Sequence, residues 1–242
     1  MTATQRRERD RRLRHELIVR TARDLAEAEG WDAVTTRRLA DRVEYSQPVL
    51  YSHFENKDAI VRAVAIEGFA DLAAQLRSAR LAAATPDVAI RAVAQAYLDF
   101  AAAHPALYEA MFTLPIDVRF ASPGQTPEPL QDSFTQLVAV LGPTPLAPEA
   151  GEPFGATETA LLAEVYWSAL HGLATLTHRG RLPASGQQAR LDLLLARLTR
   201  NGPAPLLKSS DEYKLESCRT PALPPPIVPV VPPPFPPGAA SG

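Results

Sequence analysis

A single cysteine, Cys218, in 242 residues excludes an intramolecular disulfide framework and fits a reducing compartment. Long apolar runs are missing as well: no stretch of about 18 apolar residues is present to span a bilayer. The arginines near the N-terminus lead into no apolar signal-peptide core. The expectation is therefore a soluble cytoplasmic protein without a membrane partner. Alternating, β-branched segments of the kind that form strands are also lacking, which leaves an all-α fold. No Ser/His/Asp set, metal cluster or glycine-rich phosphate loop is present, so neither an enzyme nor a cofactor is expected. His171 and His178 stand two turns apart on one helix face, but the other histidines complete no ligand set with them and no metal is expected.

What the chain does contain is helix-forming material. Its hydrophobic content is 46%, with a bias to alanine, leucine, arginine and glutamate that suits a helical protein. The net charge of −2 hides an uneven distribution: residues 1–62 carry 13 Lys/Arg against 11 Asp/Glu, the remainder 12 against 16. Any basic face thus belongs to the N-terminal part, a slight pointer to a polyanion.

Leu13, Leu17, Ile18, Thr21, Ala22, Leu25 and Ala28 recur at helical steps, predicting an amphipathic helix from about Asp10 to Glu29, ended by Gly30. The arginine-rich run from Arg6 to Arg14 reads as its solvated start. Trp31 and Val34 should pack beneath a pair of short helices. Thr35 or Thr36 caps the first of these, which runs to about Val43. Glu44 and Tyr45 turn the chain, and Ser46 caps the second, with Pro48 in its first turn. Asn56 opens a long helix over 57–82. Thr85-Pro86 starts another to about His104, and Pro105 a short one through Phe112. Residues 115–129 read as loop, 130–141 as helix and 142–155 as a proline-rich separator. Two more helices are expected at about 157–179 and 185–200, the last with a stripe of Leu191, Leu194, Leu195 and Leu198. Half of the 24 prolines lie between Pro203 and Pro237, so residues 202–242 form a disordered or polyproline-like tail.

The stretch from Thr35 to Phe54 carries the chemistry. A helix-turn-helix lays its second helix in the DNA major groove while the first crosses the backbone. Ser46, Gln47, Pro48 and Val49 form the exposed first turn of that helix. Gln47 suits a base edge, and Pro48 or Val49 a thymine methyl. Thr36, Arg37, Tyr51, His53 and Lys57 are phosphate candidates, since hydroxyls and cations supply most backbone contacts. Leu39, Val43, Leu50 and Phe54 are packing that sets the helix angle. The competing readings are a half-buried core Tyr51 and merely solvated Arg37 and Arg38.

Residues 13–62 resemble the DNA-binding domain of the tetracycline-repressor (TetR) family of bacterial transcriptional regulators. The likeness runs through the helix ending at Gly30, Val34-Thr35-Thr36, Leu39-Ala40, the spacing to Ser46, Leu50-Tyr51-Ser52-His53-Phe54 and Lys57. Where the family usually has Gly-Val, this chain has Glu44-Tyr45. A left-handed Glu44 would cost on the order of 1 kcal/mol relative to glycine, with Tyr45 either filling the valine site or reaching toward DNA. Trp167, His171 and Gly172, together with His104-Pro105 through Phe112, resemble the subclass with a Trp-His-Gly signature.

The resemblance implies a helix-turn-helix domain at 10–62, its connecting helix running to about 82, and a helical effector-binding and dimerisation domain at 83–201. It implies a homodimer formed through the last two helices, a double-stranded DNA operator and a small hydrophobic effector. Effector-site candidates are Tyr97, Phe100, Tyr108, Met111, Phe112, Trp167 and His171, large side chains with a few polar tips; ordinary core packing is the competing role for each. The function expected is a ligand-responsive repressor released from a pseudo-palindromic operator. An activator or ligand-independent regulator of the same fold is the alternative, and an adaptor acting through the proline tail a more distant one.

Overall fold

The computed structural model describes residues 2–115, 126–142 and 156–198. The proline-rich tail and most of the two separators expected around 115–129 and 142–155 lie outside these residues. Among the described residues there are nine α-helices and two short 3-10 turns, with no strand; the fold is all-α.

The first helix, α1 (Ala3–Glu29), begins well before the expected Asp10. Thr2 and Gln5 close a capping box, with Gln5 N donating to Thr2 Oγ1 at 3.3 Å and Thr2 N to Gln5 Oε1 at 2.8 Å. This satisfies otherwise orphaned N-terminal amides and lets polar residues form helix without an apolar stripe. Burial starts only at Ile18, and Leu13 is 48% exposed. Gly30, at φ 82°, ends the helix in a region that glycine enters without a Cβ clash. Trp31 heads a 3-10 turn, and it and Val34 are both buried, with the Trp31 indole N–H reaching Ala106 O of the helix that begins at Pro105.

Those helices are α2 (Thr36–Val43) and α3 (Gln47–His53). Thr35 is the cap of α2, accepting from Arg38 N at 3.2 Å; Thr36 is left with a free position on the first turn. Ser46 occupies the cap position of α3 but makes no side-chain cap bond. Between the helices Glu44 sits at φ 57°, ψ 36°. The Tyr45 amide returns to Ala40 O at 3.0 Å, the six-to-one bond of a left-handed helix end. Tyr45 is half-buried against the core, so it fills the apolar site in the turn.

The long helix α4 (Lys57–Ala82) is capped by Asn56, whose Oδ1 accepts from Ala59 N at 2.8 Å. Around it pack α1, α5 (Pro86–Ala103), α6 (Pro105–Phe112) and α7 (Glu128–Leu141). The α4–α6 crossing needs Gly68: a Cβ there would stand 2.7 Å from Leu107 Cδ1 and from Met111 Sδ. The last two helices are α8 (Ala156–His178) and α9 (Gln187–Leu198), the latter entered through the second 3-10 turn, Ala184–Gly186. Tyr166 Oη donates to Ile90 O at 2.7 Å, joining α8 to α5. Leu191 and Leu195 of the expected leucine stripe are buried; the large apolar residues exposed on α8 and α9, among the described residues, are Leu161, Val165, Leu176 and Leu193.

Replacing Glu44 by glycine should raise unfolding stability by roughly 0.5–1 kcal/mol, because it removes the left-handed penalty of a residue with a Cβ. Urea unfolding of the two proteins measures this; a lower midpoint for Glu44→Gly would show that the side chain makes a favourable contact.

Candidate DNA interface and effector cleft

The head presents one continuous polar face. Ser46, Gln47 and Pro48 are exposed at the start of α3, Val49 is half-buried, and Leu50 faces inward at 1% exposure. Tyr51 is 52% exposed, and its hydroxyl lies 3.5 Å from Thr36 Oγ1 on the first turn of α2. These two hydroxyls, contributed by different helices, can donate to neighbouring phosphate oxygens. Arg37 is exposed beside them and has no hydrogen bond or ion pair among the described residues. His53 is half-buried at the end of α3. Burial holds its pKa below the ordinary histidine value, and Arg11, His15 and Arg14 lower it further.

Two basic residues in this region are already engaged. Lys57 Nζ donates to Trp31 O at 2.6 Å, so this half-buried residue, expected at a phosphate, also ties α4 to the first 3-10 turn. Arg38 is not merely solvated. It grips Glu29 through Nη1 to Oε2 at 2.9 Å and Nη2 to Oε1 at 2.8 Å. That fork, joined by Arg42, holds α2 to the end of α1 and keeps the Glu29 carboxyl below its usual range.

Beneath the head lies a contact for which the sequence offered no signal. The Glu27 carboxylate accepts from the amides of Ala106 and Leu107 at 3.1 and 2.9 Å, capping α6 from a different helix. A carboxylate is favoured at a helix N-terminus, where unpaired N–H groups and the helix dipole converge. Trp31 Nε1 donates to Ala106 O at 2.7 Å. Together they clamp the first turn of α6 to the end of α1.

The expected effector residues form an aromatic cluster. Tyr97, Phe100, Met111 and Tyr108 are buried, whereas Phe112, Trp167 and His171 are half-buried. Phe112 meets Tyr108 at a ring-centroid distance of 4.7 Å and His171 at 5.3 Å. A chain of hydrogen bonds runs through the cluster. Trp167 Nε1 donates to Tyr97 Oη at 3.0 Å, the Tyr97 and Tyr108 hydroxyls stand 2.9 Å apart, and Tyr108 Oη is 2.7 Å from His171 Nδ1. His171 Nε2 lies 3.4 Å from Thr175 Oγ1. Burial keeps both tyrosines protonated and holds the His171 pKa below its ordinary value. With neutral His171 one direction satisfies every proton: Trp167 to Tyr97, Tyr97 to Tyr108, Tyr108 to Nδ1, and Nε2–H to Thr175.

A cleft of about 210 Å³ opens beside this cluster, lined by Ala101, Pro105, Tyr108, Glu109, Thr113, Ala174, Thr175, His178 and Arg179. Of the seven expected effector residues, Tyr108 lines it, and His171 approaches it through Thr175. Glu109, His178 and Arg179 were not anticipated at an effector site; they come from α6, the end of α8 and the turn after it, whose juxtaposition no spacing reveals. His171 and His178 belong to no group of three or more potential metal ligands among the described residues, and no described helix is long and apolar enough to cross a membrane.

A helix-turn-helix head clamped to an all-helical body is the class of protein that this geometry defines. The description "Bacterial regulatory proteins, tetR family" fits residues 18–64, and "Tetracyclin repressor-like, C-terminal domain" fits residues 90–200. An uncharacterized HTH-type transcriptional regulator of Mycobacterium tuberculosis is 30% identical over 172 residues, 70% of this chain and 72% of its own. The tetracycline repressor protein class C of Escherichia coli is 46% identical over 54 residues, 22% of this chain and 25% of that one. A structure of a protein with unknown function from Rhodococcus sp. RHA1 aligns with a TM-score of 0.62 at 25% identity, covering 78% of this chain and 95% of that one. The chain belongs to the TetR family and is a helix-turn-helix transcriptional regulator.

The histidines make the protein acid-sensitive. His15, His53 and His171 all hold their protons less tightly than the ordinary value of 6.5, chiefly through burial. Unfolding therefore takes up protons as pH falls below about 6.5, and stability that is complete above that pH is progressively lost on acidification. Protonating His171 also reverses its bond to Tyr108 and leaves one of the two tyrosine hydroxyl protons without an acceptor in this chain of bonds. Melting temperatures between pH 7.5 and 5 should fall steadily below 6.5 and more shallowly in His171→Gln; parallel curves would remove His171 from the cause.

Proposed function

We propose that the chain is a ligand-responsive repressor that binds a pseudo-palindromic DNA operator as a homodimer and releases it when a small molecule occupies the cleft beside α6. The observation that carries the DNA part is the shared face of α2 and α3. There Gln47, Pro48 and Val49 serve as base readers, while Thr36, Arg37, Ser46, Tyr51 and His53 serve the phosphates. Two such faces about 34 Å apart would meet successive major grooves.

Dimerisation is supported by the outward residues of α8. Leu161, Val165 and Leu176 are each more than two-fifths exposed, and Ser168 and Gly172 fall between them at helical steps. A Cβ on Gly172 would meet nothing within 4 Å, so the smallness of that residue answers no contact among the described residues. A second copy of α8 laid across this stripe, with Leu193 of α9 at its margin, makes the self-complementary patch that a two-fold dimer requires.

Release is supported by the position of α6. One end of this helix is gripped by Glu27 and Trp31 of the head, while Tyr108 and Glu109 face the cleft. A small, partly polar effector, contacting Tyr108, Thr175 and through them His171, would shift α6 only as far as its affinities for the two arrangements differ. In this reading residues 10–62 are the DNA-binding unit, 83–201 the effector and dimer unit, and the protein works in the cytoplasm.

Gel-shift titration against DNA upstream of the protein's own gene tests the proposal. Gln47→Ala should relax the preference at one position per half-site by about 1–3 kcal/mol, whereas Arg37→Gln and Tyr51→Phe should weaken all sequences alike. Equal losses on specific and random DNA for all three, or no sequence-selective binding by the parent chain, would overturn it.

A further inference from the structure

The start of α1 lies outside the buried core of the head, which the helix joins at Ile18. Between Ala3 and His15 it carries Arg6, Arg7, Arg9, Arg11, Arg12 and Arg14 against Glu8 and Asp10, and all six arginines are exposed. Among them Arg12 makes an ion pair, with Glu16 at 3.4 Å; the side chains of the others have no hydrogen-bond or ion-pair partner among the described residues. Since burial starts near Ile18, roughly 20 Å of helix stands clear of the core at 1.5 Å per residue.

The arm leaves the body at a defined place. The His15 ring packs on Phe54, the residue that ends α3, with centroids 4.5 Å apart. Arg7, Arg11 and Arg14 precede Ile18, Ala22 and Leu25 at steps of four, three, four, four and three. They therefore continue, beyond the head, the side of α1 that packs on it. Arg9 and Arg12 lie on the opposite side of the helix. The row Arg7, Arg11, Arg14 thus runs on from the end of α3, where Tyr51 and His53 stand. So many like charges on one exposed helix repel one another; Glu8, Asp10 and the Arg12–Glu16 pair offset this in part, and a row of phosphates would offset the rest.

We propose that this arginine arm is a second contact with double-stranded DNA, lying along the sugar-phosphate backbone outside the base pairs read by α3 and lengthening the footprint of each head. It rests on the proposed operator binding through α3. Charge complementarity and continuity with the polar face of α2 and α3 both favour duplex DNA as the occupant. The contact is to phosphates, so it adds affinity and salt dependence while adding little sequence preference.

The test uses the full chain and its own upstream DNA, comparing the parent with a triple variant, Arg7→Gln, Arg11→Gln and Arg14→Gln, and with the opposite-side pair Arg9→Gln and Arg12→Gln. Each arginine on a phosphate contributes about 0.9 to the slope of log affinity against log salt, so the triple variant, counted over two heads, should lower that slope by about 5. Operator affinity at low salt should fall roughly tenfold or more, hydroxyl-radical protection should shorten at both outer edges, and the opposite-side pair should change the slope less. Circular dichroism confirms that the triple variant is folded. An unchanged slope and footprint in the triple variant, with Gln47→Ala still relaxing sequence preference, would overturn the arm and leave the recognition helix intact. Unchanged DNA titrations together with lost binding to phosphatidylserine vesicles would overturn it in favour of a lipid surface. No specific binding by the parent chain would overturn both assignments.

Discussion

The carboxylate of Glu27, seated on the amides of Ala106 and Leu107, is the contact on which the rest of the architecture turns. The helix α6 begins at a proline and its cap position is His104, which makes no side-chain cap bond. Its N-terminal amides would otherwise need water or another partner. Glu27 supplies that partner from α1, and Trp31 takes the Ala106 carbonyl beside it. The head therefore does not hang on α4 alone. It is also held by Lys57 bound to the Trp31 carbonyl at the start of α4, by Arg23 paired with Asp71 at 2.6 Å along α4, and by the clamp on α6.

That last attachment gives the body its constraint. The helix held at its first turn also carries Leu107 and Met111, which pack over Gly68, and Tyr108, which enters the hydrogen-bond chain to His171. A buried tyrosine pair, an indole N–H and an imidazole in one cluster are costly unless every polar atom has a partner. The single direction of donation that satisfies them fixes the His171 tautomer and the rotamers around it. Tyr108 thereby belongs at once to the packed core, the polar chain and the open cleft, and the clamped residues Ala106 and Leu107 directly precede it in the same helix.

Much of this was legible in the sequence because local chemistry and tertiary structure agree. Thr35, Asn56 and Thr85 cap the helices expected of them, Pro86 and Pro105 stand at first helical positions, and Leu39, Val43, Leu50 and Phe54 form the packing set. The turn at Glu44 is left-handed, and Tyr45 takes the apolar role. What was missed has consistent causes. The start of α1 has a capping box and arginines but no apolar stripe, so a reading from hydrophobic period begins it seven residues late. Leu191 and Leu195 showed a stripe but not which neighbour would cover it, and the monomer's own core did. Glu27, Arg38 and Lys57 are charged residues whose partners depend on how helices cross. Glu27 meets an amide 80 residues away, a distance over which no spacing rule operates. The aromatic cluster was identified residue by residue, whereas the cleft beside it was not, because a cavity is a property of the gaps between helices.

In the regulation proposed for this chain, the state of the head and the state of α6 are one equilibrium, joined at the Glu27 carboxylate. Coupling of this kind is reciprocal, so DNA bound at α3 must be felt at the clamp. Amide hydrogen exchange at Ala106 and Leu107, measured with and without saturating operator DNA, reads it directly. Slower exchange of both amides in the DNA complex is the predicted result; rates that DNA leaves unchanged, with binding verified in the same sample, would contradict it.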